Sequence, residues 1–201
     1  MVRRLTNSEG KQLWQDYRQG NIYALGELLD VYYSDLYHWG MRLHHDREFV
    51  KDSIQEVFLN LWKVQQTTSS VENVRAYLLM VLKNHMLREL CDKHNKLQSS
   101  LSEDYSFSVE FAADFRMIEE EREVYQFRKL ETIMNSLPPR QKELLYLKFY
   151  QNLDFEEIAD VMNLGRQSAY NLFQKSINNF RKNWPVTMLM LLFFGAILNI
   201  F

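Results

Sequence analysis

Apolar residues recur every three or four positions along much of the chain, which is the spacing of the buried face of an amphipathic helix. Three such stripes span residues 24–39, 49–61 and 74–90. A polar run of Gln, Thr and Ser at 65–70 separates the last two. Hydroxyl side chains compete for backbone partners, so this run predicts a loop. The first half of the chain therefore predicts helices with short connectors.

The periodic pattern fades near residue 95, where serines begin to mix with acidic residues. We expect residues 96–116 to form an acidic, flexible linker between two small helical domains, 1–95 and 117–183. A hydrophobic tail, 184–201, follows the second domain and is predicted to form a C-terminal helix. The predicted fold class is all-α.

The second domain carries signals for two helices joined by a tight turn. Prolines at 138–139 favour a helix start, where a missing N–H costs nothing. Further on, Asp154 and Glu157 have the spacing of a capping box. Asn and Gly in 163–165 tolerate the left-handed backbone of a turn, and a last helix is predicted over about 166–182.

That last helix has one apolar and one polar side. Its predicted inward stripe consists of Ala169, Phe173, Ser176, Ile177 and Phe180. The stretch 165–183 contains four Lys or Arg residues and no Asp or Glu. This pattern is typical of a helix-turn-helix that enters a DNA major groove. An ordinary helical hairpin with a solvated polar face is the alternative.

Composition supports the helical prediction and excludes several classes. Only 6 Gly and 3 Pro occur in 201 residues, too few for an all-β fold rich in tight turns. A hydrophobic content of 46% excludes a disordered chain. The single cysteine, Cys91, allows no internal disulfide, and the N-terminus lacks the apolar region of a secretory signal. We therefore expect a cytoplasmic protein.

The formal net charge of -2 conceals an uneven distribution. Residues 1–100 carry a balance of +1, residues 101–135 one of -5, and residues 136–201 one of +2. Phosphate contacts require clustered Lys and Arg. Weakly basic domains should therefore bind DNA poorly alone and depend on a partner for affinity.

Several segments resemble the extracytoplasmic-function (ECF) sigma factors of bacterial RNA polymerase, and especially their large Bacteroidetes branch. The similarity to the second sigma domain lies in 50–62, 75–78, 83–84 and Arg88. The similarity to the fourth sigma domain lies in 137–140, 155–159, 168–171 and 176–181. Both motifs occur in the family's order, and the resemblance covers roughly residues 20–183.

The resemblance implies three binding surfaces. The surface that docks on the clamp helices of core RNA polymerase would consist of Asp52, Gln55, Glu56, Leu59, Asn60 and Lys63, with Phe58, Leu61 and Trp62 anchoring the core. Melting of the downstream promoter element would fall to Gln65, Gln66, Thr67, Arg75, Lys83, Asn84 and Arg88. The upstream element would be contacted by Arg140, Arg166, Gln167, Ser168, Tyr170, Asn171, Gln174, Lys175 and Arg181.

The implied function is promoter-specific transcription initiation with core RNA polymerase, with promoter DNA as second partner and an anti-sigma factor as a candidate regulator. The sequence predicts no enzymatic activity and no cofactor. His85, Cys91 and His94 match the spacing of no structural zinc module, so no metal is predicted. Two rival functions are a helix-turn-helix regulator that works without polymerase and a membrane-tethered helical adaptor.

The apolar segment at 186–201 leaves two interpretations open. As a helix its 16 residues would span about 24 Å, less than the roughly 30 Å of a bilayer core. Trp184 and the basic pair 181–182 nevertheless have the character of interface flanks. Membrane contact and burial against protein are weighted equally, and a segment that covered the DNA-binding helix would be autoinhibitory.

Overall fold

The computed structural model describes residues 6–65, 69–95, 106–109 and 121–183, and regular structure in these ranges is helical. The chain divides into two compact units. The first contains four helices: α1 (Asn7–Arg18), α2 (Ile22–Leu43), α3 (Arg47–Lys63) and α4 (Val74–Asn95). The second begins at Ser106 and contains α5 (Glu121–Ser136), α6 (Pro139–Phe149), the greater part of α7 (Phe155–Met162) and α8 (Arg166–Asn183). The all-α prediction is confirmed.

The predicted apolar stripes become the buried faces of α2 and α3, whereas the stripe predicted for α4 is buried only in part, since Val81 and Leu90 are half-buried. These helices pack together around fully buried side chains, among them Leu28, Trp39, Ile54 and Leu79. The Trp39 indole N–H donates to the carbonyl oxygen of Leu79 at 3.3 Å, which satisfies its polar atom inside the core. Helix periodicity in the sequence therefore identified the inner faces of α2 and α3.

Helix α1 was missed by the sequence analysis. A complete capping box begins it: the Glu9 N–H donates to Thr6 Oγ1 at 3.3 Å, and the Thr6 N–H donates to Glu9 Oε2 at 2.8 Å. The helix buries Trp14 and Tyr17 and packs against α2 and α4, and the Tyr17 hydroxyl donates to the Leu61 carbonyl of α3. The Thr-x-x-Glu spacing was the available signal, but the helix has too few apolar positions to stand out by periodicity.

The predicted linker needs amendment in its centre. Phe107 and Val109 are buried, and the Phe107 ring lies edge-on to Tyr146 with centroids 5.8 Å apart. The Val109 N–H donates to Asn135 Oδ1 at 3.0 Å, and Asn135 Nδ2 donates to the Val109 carbonyl at 2.8 Å. Residues 106–109 are thus part of the second unit, and the rest of 96–116 lies outside the described residues.

Helices α7 and α8 form the predicted pair of helices with its turn. Asp154 caps α7, because its Oδ1 accepts from the Glu157 N–H at 2.9 Å while Glu157 Oε2 accepts from the Asp154 N–H at 2.7 Å. Asn163 has a positive φ of 50°, as a left-handed turn residue should. Asn179 on α8 donates to Gln141 on α6 at 3.0 Å and links the two helices.

Candidate functional site

The six residues predicted to dock on polymerase lie on one side of α3. Their spacing of three and four residues follows the helix period, and all six are exposed to solvent. The opposite side of the same helix is buried through Val50, Ile54, Val57 and Leu61. The exposed set is called the docking face below; it consists of Asp52, Gln55, Glu56, Leu59, Asn60 and Lys63.

Trp62 lies elsewhere than predicted. It was expected to anchor the core with Phe58 and Leu61, which are indeed buried, but 56% of Trp62 is exposed. Successive residues of an α-helix are rotated by about 100° around its axis. Trp62 therefore lies at the edge of the buried stripe that residues 54, 57, 58 and 61 form, not within it. The prediction for Trp62 was wrong, and the indole is available at the surface.

Trp62 lines an apolar groove between α2 and α3. The groove is lined by Ile22, Leu25, Gly26, Leu29, Gln55, Phe58, Leu59 and Trp62, and its volume is about 430 Å³. Leu59, in its wall, is 50% exposed. A Cβ at Gly26 would meet no atom within 4 Å, so the absence of a side chain there leaves the groove open. An exposed apolar cleft beside a polar helix face is typical of a protein interface.

The residues predicted for downstream-element melting differ in their exposure to solvent. Asn84 and Arg88 are exposed one turn apart on α4. Lys83 is only 6% exposed, so little of the residue is accessible to a phosphate. The side-chain amide of Gln65 donates to the backbone carbonyl of Tyr17. Gln66 and Thr67 lie outside the described residues.

Arg75, another predicted DNA contact, is engaged within the first unit. Its Nε lies 2.8 Å from Asp35 Oδ2, and both side chains are about three-quarters buried. Burial raises the pKa of the neighbouring Tyr32 hydroxyl, and the charge of Arg75 opposes that shift. The Arg75–Asp35 pair ties α4 to α2, which is a structural role.

On α8, the polar side predicted to contact the upstream element is exposed. Ala169, Ser176, Ile177 and Phe180 are buried and Phe173 is half-buried, as the inward stripe predicted. The exposed residues of the predicted set on this helix are Arg166, Gln167, Ser168, Tyr170, Asn171, Gln174, Lys175 and Arg181. Arg140, on α6, is half-buried.

Two side-chain contacts hold residues at the start of the exposed side of α8. Gln167 Nε2 donates to Asn171 Oδ1 at 3.0 Å, one turn further along the helix. Arg166 pairs with Glu156 of α7, and both side chains are largely exposed. Such a surface pair contributes only about 0–1 kcal/mol, so a phosphate can displace the carboxylate from Arg166.

Comparison with known proteins identifies the family to which the chain belongs. The model "Sigma-70 region 2" matches residues 28–95, and the model "Sigma-70, region 4" matches residues 127–177, so the two together match more than half of the chain. The ECF RNA polymerase sigma factor SigM of Bacillus subtilis (strain 168) is 22% identical over 167 residues, which are 78% of this chain and 99% of SigM. This chain is an ECF sigma factor of the sigma-70 family.

Further relatives agree with that assignment. The ECF sigma factor SigX of the same Bacillus subtilis strain is 18% identical over 158 residues, covering 78% of this chain and 81% of SigX. The fold is similar to that of CnrH, solved in complex with the cytosolic domain of CnrY (TM-score 0.57, 15% identity, 86% of this chain and 95% of that one). It is also similar to the sigma factor RpoE of Bartonella quintana, solved with the anti-sigma factor NepR (TM-score 0.59, 14% identity, 82% and 99%).

The family assignment settles the main functional predictions. This ECF sigma factor directs promoter-specific transcription initiation with RNA polymerase, and it is not an enzyme. A helix-turn-helix regulator that works without polymerase is set aside, because the region 2 match covers α3 and α4. Among the residues that the structure describes, no helix is both long and apolar enough to cross a bilayer. The apolar segment 186–201 lies outside them.

Proposed function

We propose that this sigma factor docks on core RNA polymerase through α3, using the docking face together with the apolar groove beside it. The observation that carries the proposal is the exposure of Leu59 and Trp62 next to five polar or charged positions at helical spacing. Large apolar side chains surrounded by polar ones form the energetic centre of many protein interfaces. Carboxylates and amides around them would pair with a basic partner helix.

The upstream promoter element would be bound by α8. This helix follows α7 after a three-residue turn, its exposed side carries amides and cations, and residues 165–183 contain no carboxylate. Amide side chains can make paired hydrogen bonds to adenine, while Arg and Lys hold phosphates or guanine. Gln167 and Asn171, joined by a hydrogen bond, are the central candidates for base contacts.

We expect Asn171→Ala to change which upstream sequence is used. Loss of one amide contact corresponds to about 1 kcal/mol, so preference at the contacted base pair should fall about fivefold. Transcription from a library of upstream-element variants, with core polymerase added, measures that preference. Lys175→Ala is the matched comparison on the same helix, since loss of a phosphate contact lowers binding across all sequences alike. An unchanged preference for the Asn171 variant would argue against α8 as the base-contacting helix.

For the downstream element, Asn84 and Arg88 are the proposed contacts from α4. An exposed amide and a cation one turn apart suit an unstacked base and the backbone of a single strand. Arg75 and Lys83 are left out of this proposal, because the first is paired with Asp35 and the second is buried. Gln65, Gln66 and Thr67 keep the role that the family resemblance implies.

An anti-sigma factor is the proposed regulator. CnrH and RpoE were both solved in complex with a partner protein, in RpoE an anti-sigma factor. The apolar groove between α2 and α3 offers such a partner a place on the first unit. We also propose, on the motifs that resemble it, that the chain belongs to the Bacteroidetes branch and works in the cytoplasm with its polymerase.

The apolar segment 186–201 is proposed to bind either a membrane or a protein surface. If it restrains the DNA-binding or polymerase-binding surfaces, a chain ending at residue 185 should bind promoter or core polymerase more tightly than the full chain. Equal affinities would contradict an inhibitory role. Fractionation of both chains with membranes tests the other interpretation, because only the full chain should then sediment with the lipid.

A further inference from the structure

We propose that Glu56, His85 and Glu89 form a binding site for a divalent transition metal ion, with Zn²⁺ as the best fit. Glu56 lies on α3, and the other two residues lie one turn apart on α4. No residue spacing points to this group, because the ligands come from two helices that the fold brings together. His85 belonged to a different, rejected group with Cys91 and His94.

The donor atoms are close enough to share one ion. The ligand atoms of the three side chains all lie within 4.8 Å of one another, and His85 Nε2 is 3.3 Å from Glu56 Oε2. Zinc bonds of about 2.0–2.2 Å place the ligand atoms of a tetrahedral site roughly 3.3–3.6 Å apart. The imidazole and the first carboxylate already have that separation, and rotation of the flexible Glu89 side chain brings the third ligand in.

The helix backbones that carry these ligands are held in place by the core. Val57 and Met86, the residues next to Glu56 and His85, are buried between the packed helices. Only 15% of the His85 side chain is exposed, whereas 58% of Glu56 is exposed. A fixed imidazole with an accessible carboxylate leaves a path by which an ion and a water molecule can enter.

The ligand set determines which metal fits. One imidazole and two carboxylates suit Zn²⁺ and related transition metals. Mg²⁺ and Ca²⁺ prefer sites made only of oxygen atoms. Three protein ligands leave a fourth position for water.

Metal binding would change the charge of the docking face, because Glu56 is both a metal ligand and a docking residue. This consequence rests on the function proposed above. A bound ion would hold the Glu56 carboxylate toward α4 and neutralise its charge. That carboxylate could then no longer pair with a basic polymerase helix. The site would therefore make polymerase docking sensitive to the free metal concentration.

The direct test is titration of the full-length chain with Zn²⁺ by calorimetry, in the absence of polymerase. We expect one site per chain in the micromolar range or tighter, and at least tenfold weaker binding for His85→Asn and for Glu89→Gln. His45→Asn is the matched control, because it removes an exposed histidine of the same unit outside the site. Wild-type chain that binds no Zn²⁺ below 100 µM, or a His85 variant that binds as tightly as the control, would overturn the site.

A second measurement compares core polymerase binding with and without Zn²⁺ for each chain. We expect Zn²⁺ to weaken docking severalfold for the wild-type chain and for His45→Asn, and to leave the His85→Asn affinity unchanged. Equal wild-type affinities with the metal bound would overturn the coupling. A wild-type chain that binds no core polymerase without metal would contradict the proposed docking function instead, so the two failures can be told apart.

Discussion

Replacing Leu59 by Asp should weaken binding to core RNA polymerase about thirtyfold or more. Leu59 is half exposed, lies in the docking face and forms part of the apolar groove wall. A carboxylate there would have to lose its water on docking, and truncating a central apolar contact alone typically costs 2 kcal/mol or more. Titration of labelled sigma factor with core polymerase measures the affinity.

Arg47→Gln is the matched control for this variant. It lowers the net charge by the same single unit and lies on the same helix, at the exposed first residue of α3. We expect its affinity to stay within twofold of the wild-type value. Thermal unfolding followed by circular dichroism should show that both chains remain folded. A Leu59→Asp chain that binds as tightly as Arg47→Gln would rule out this face as the docking surface.

Replacing Gly40 by Ala should destabilise the first unit relative to the same change at Gly26. A Cβ at Gly40 would lie 2.6 Å from Val50 Cγ1 and 3.5 Å from Met86 Sδ, so α2 approaches its neighbours there only because the side chain is absent. Val50 is buried and β-branched, which leaves it little freedom to move aside. Overpacking of this kind costs about 1–3 kcal/mol.

Gly26→Ala provides the comparison in the same helix. Both variants gain the roughly 1 kcal/mol that alanine has over glycine in a helix interior, but a Cβ at Gly26 meets nothing. The two free energies of unfolding, measured in urea, should therefore differ by about 1–3 kcal/mol, with Gly26→Ala the more stable. Equal stabilities would show that α2 and α3 can separate at Gly40 without cost.

The exposure of the predicted site residues agrees best with expectation where one helix carries all of them, while their roles stay predictions. The docking residues on α3, which the family resemblance implied, and the polar side of α8 each lie on one side of their helix, because the helix period assigns each residue to a side. The prediction failed for Trp62, which lies at the margin of an apolar stripe. It also failed to foresee the pairing of Arg75 with Asp35 and the burial of Lys83. A charged residue in a sequence does not reveal whether its partner is DNA or a neighbouring helix.

The sequence by itself determined the helical class, the positions of α2 to α4, the capped helix pair of the second unit and, through its motifs, the sigma family. These features depend on local spacing, capping and turn chemistry, which act within a few residues. Only the tertiary structure decided the packing of 106–109, the groove beside Trp62 and the meeting of Glu56 with His85 and Glu89. Each of these joins residues that are distant in sequence, and their contacts depend on how helix faces pack together.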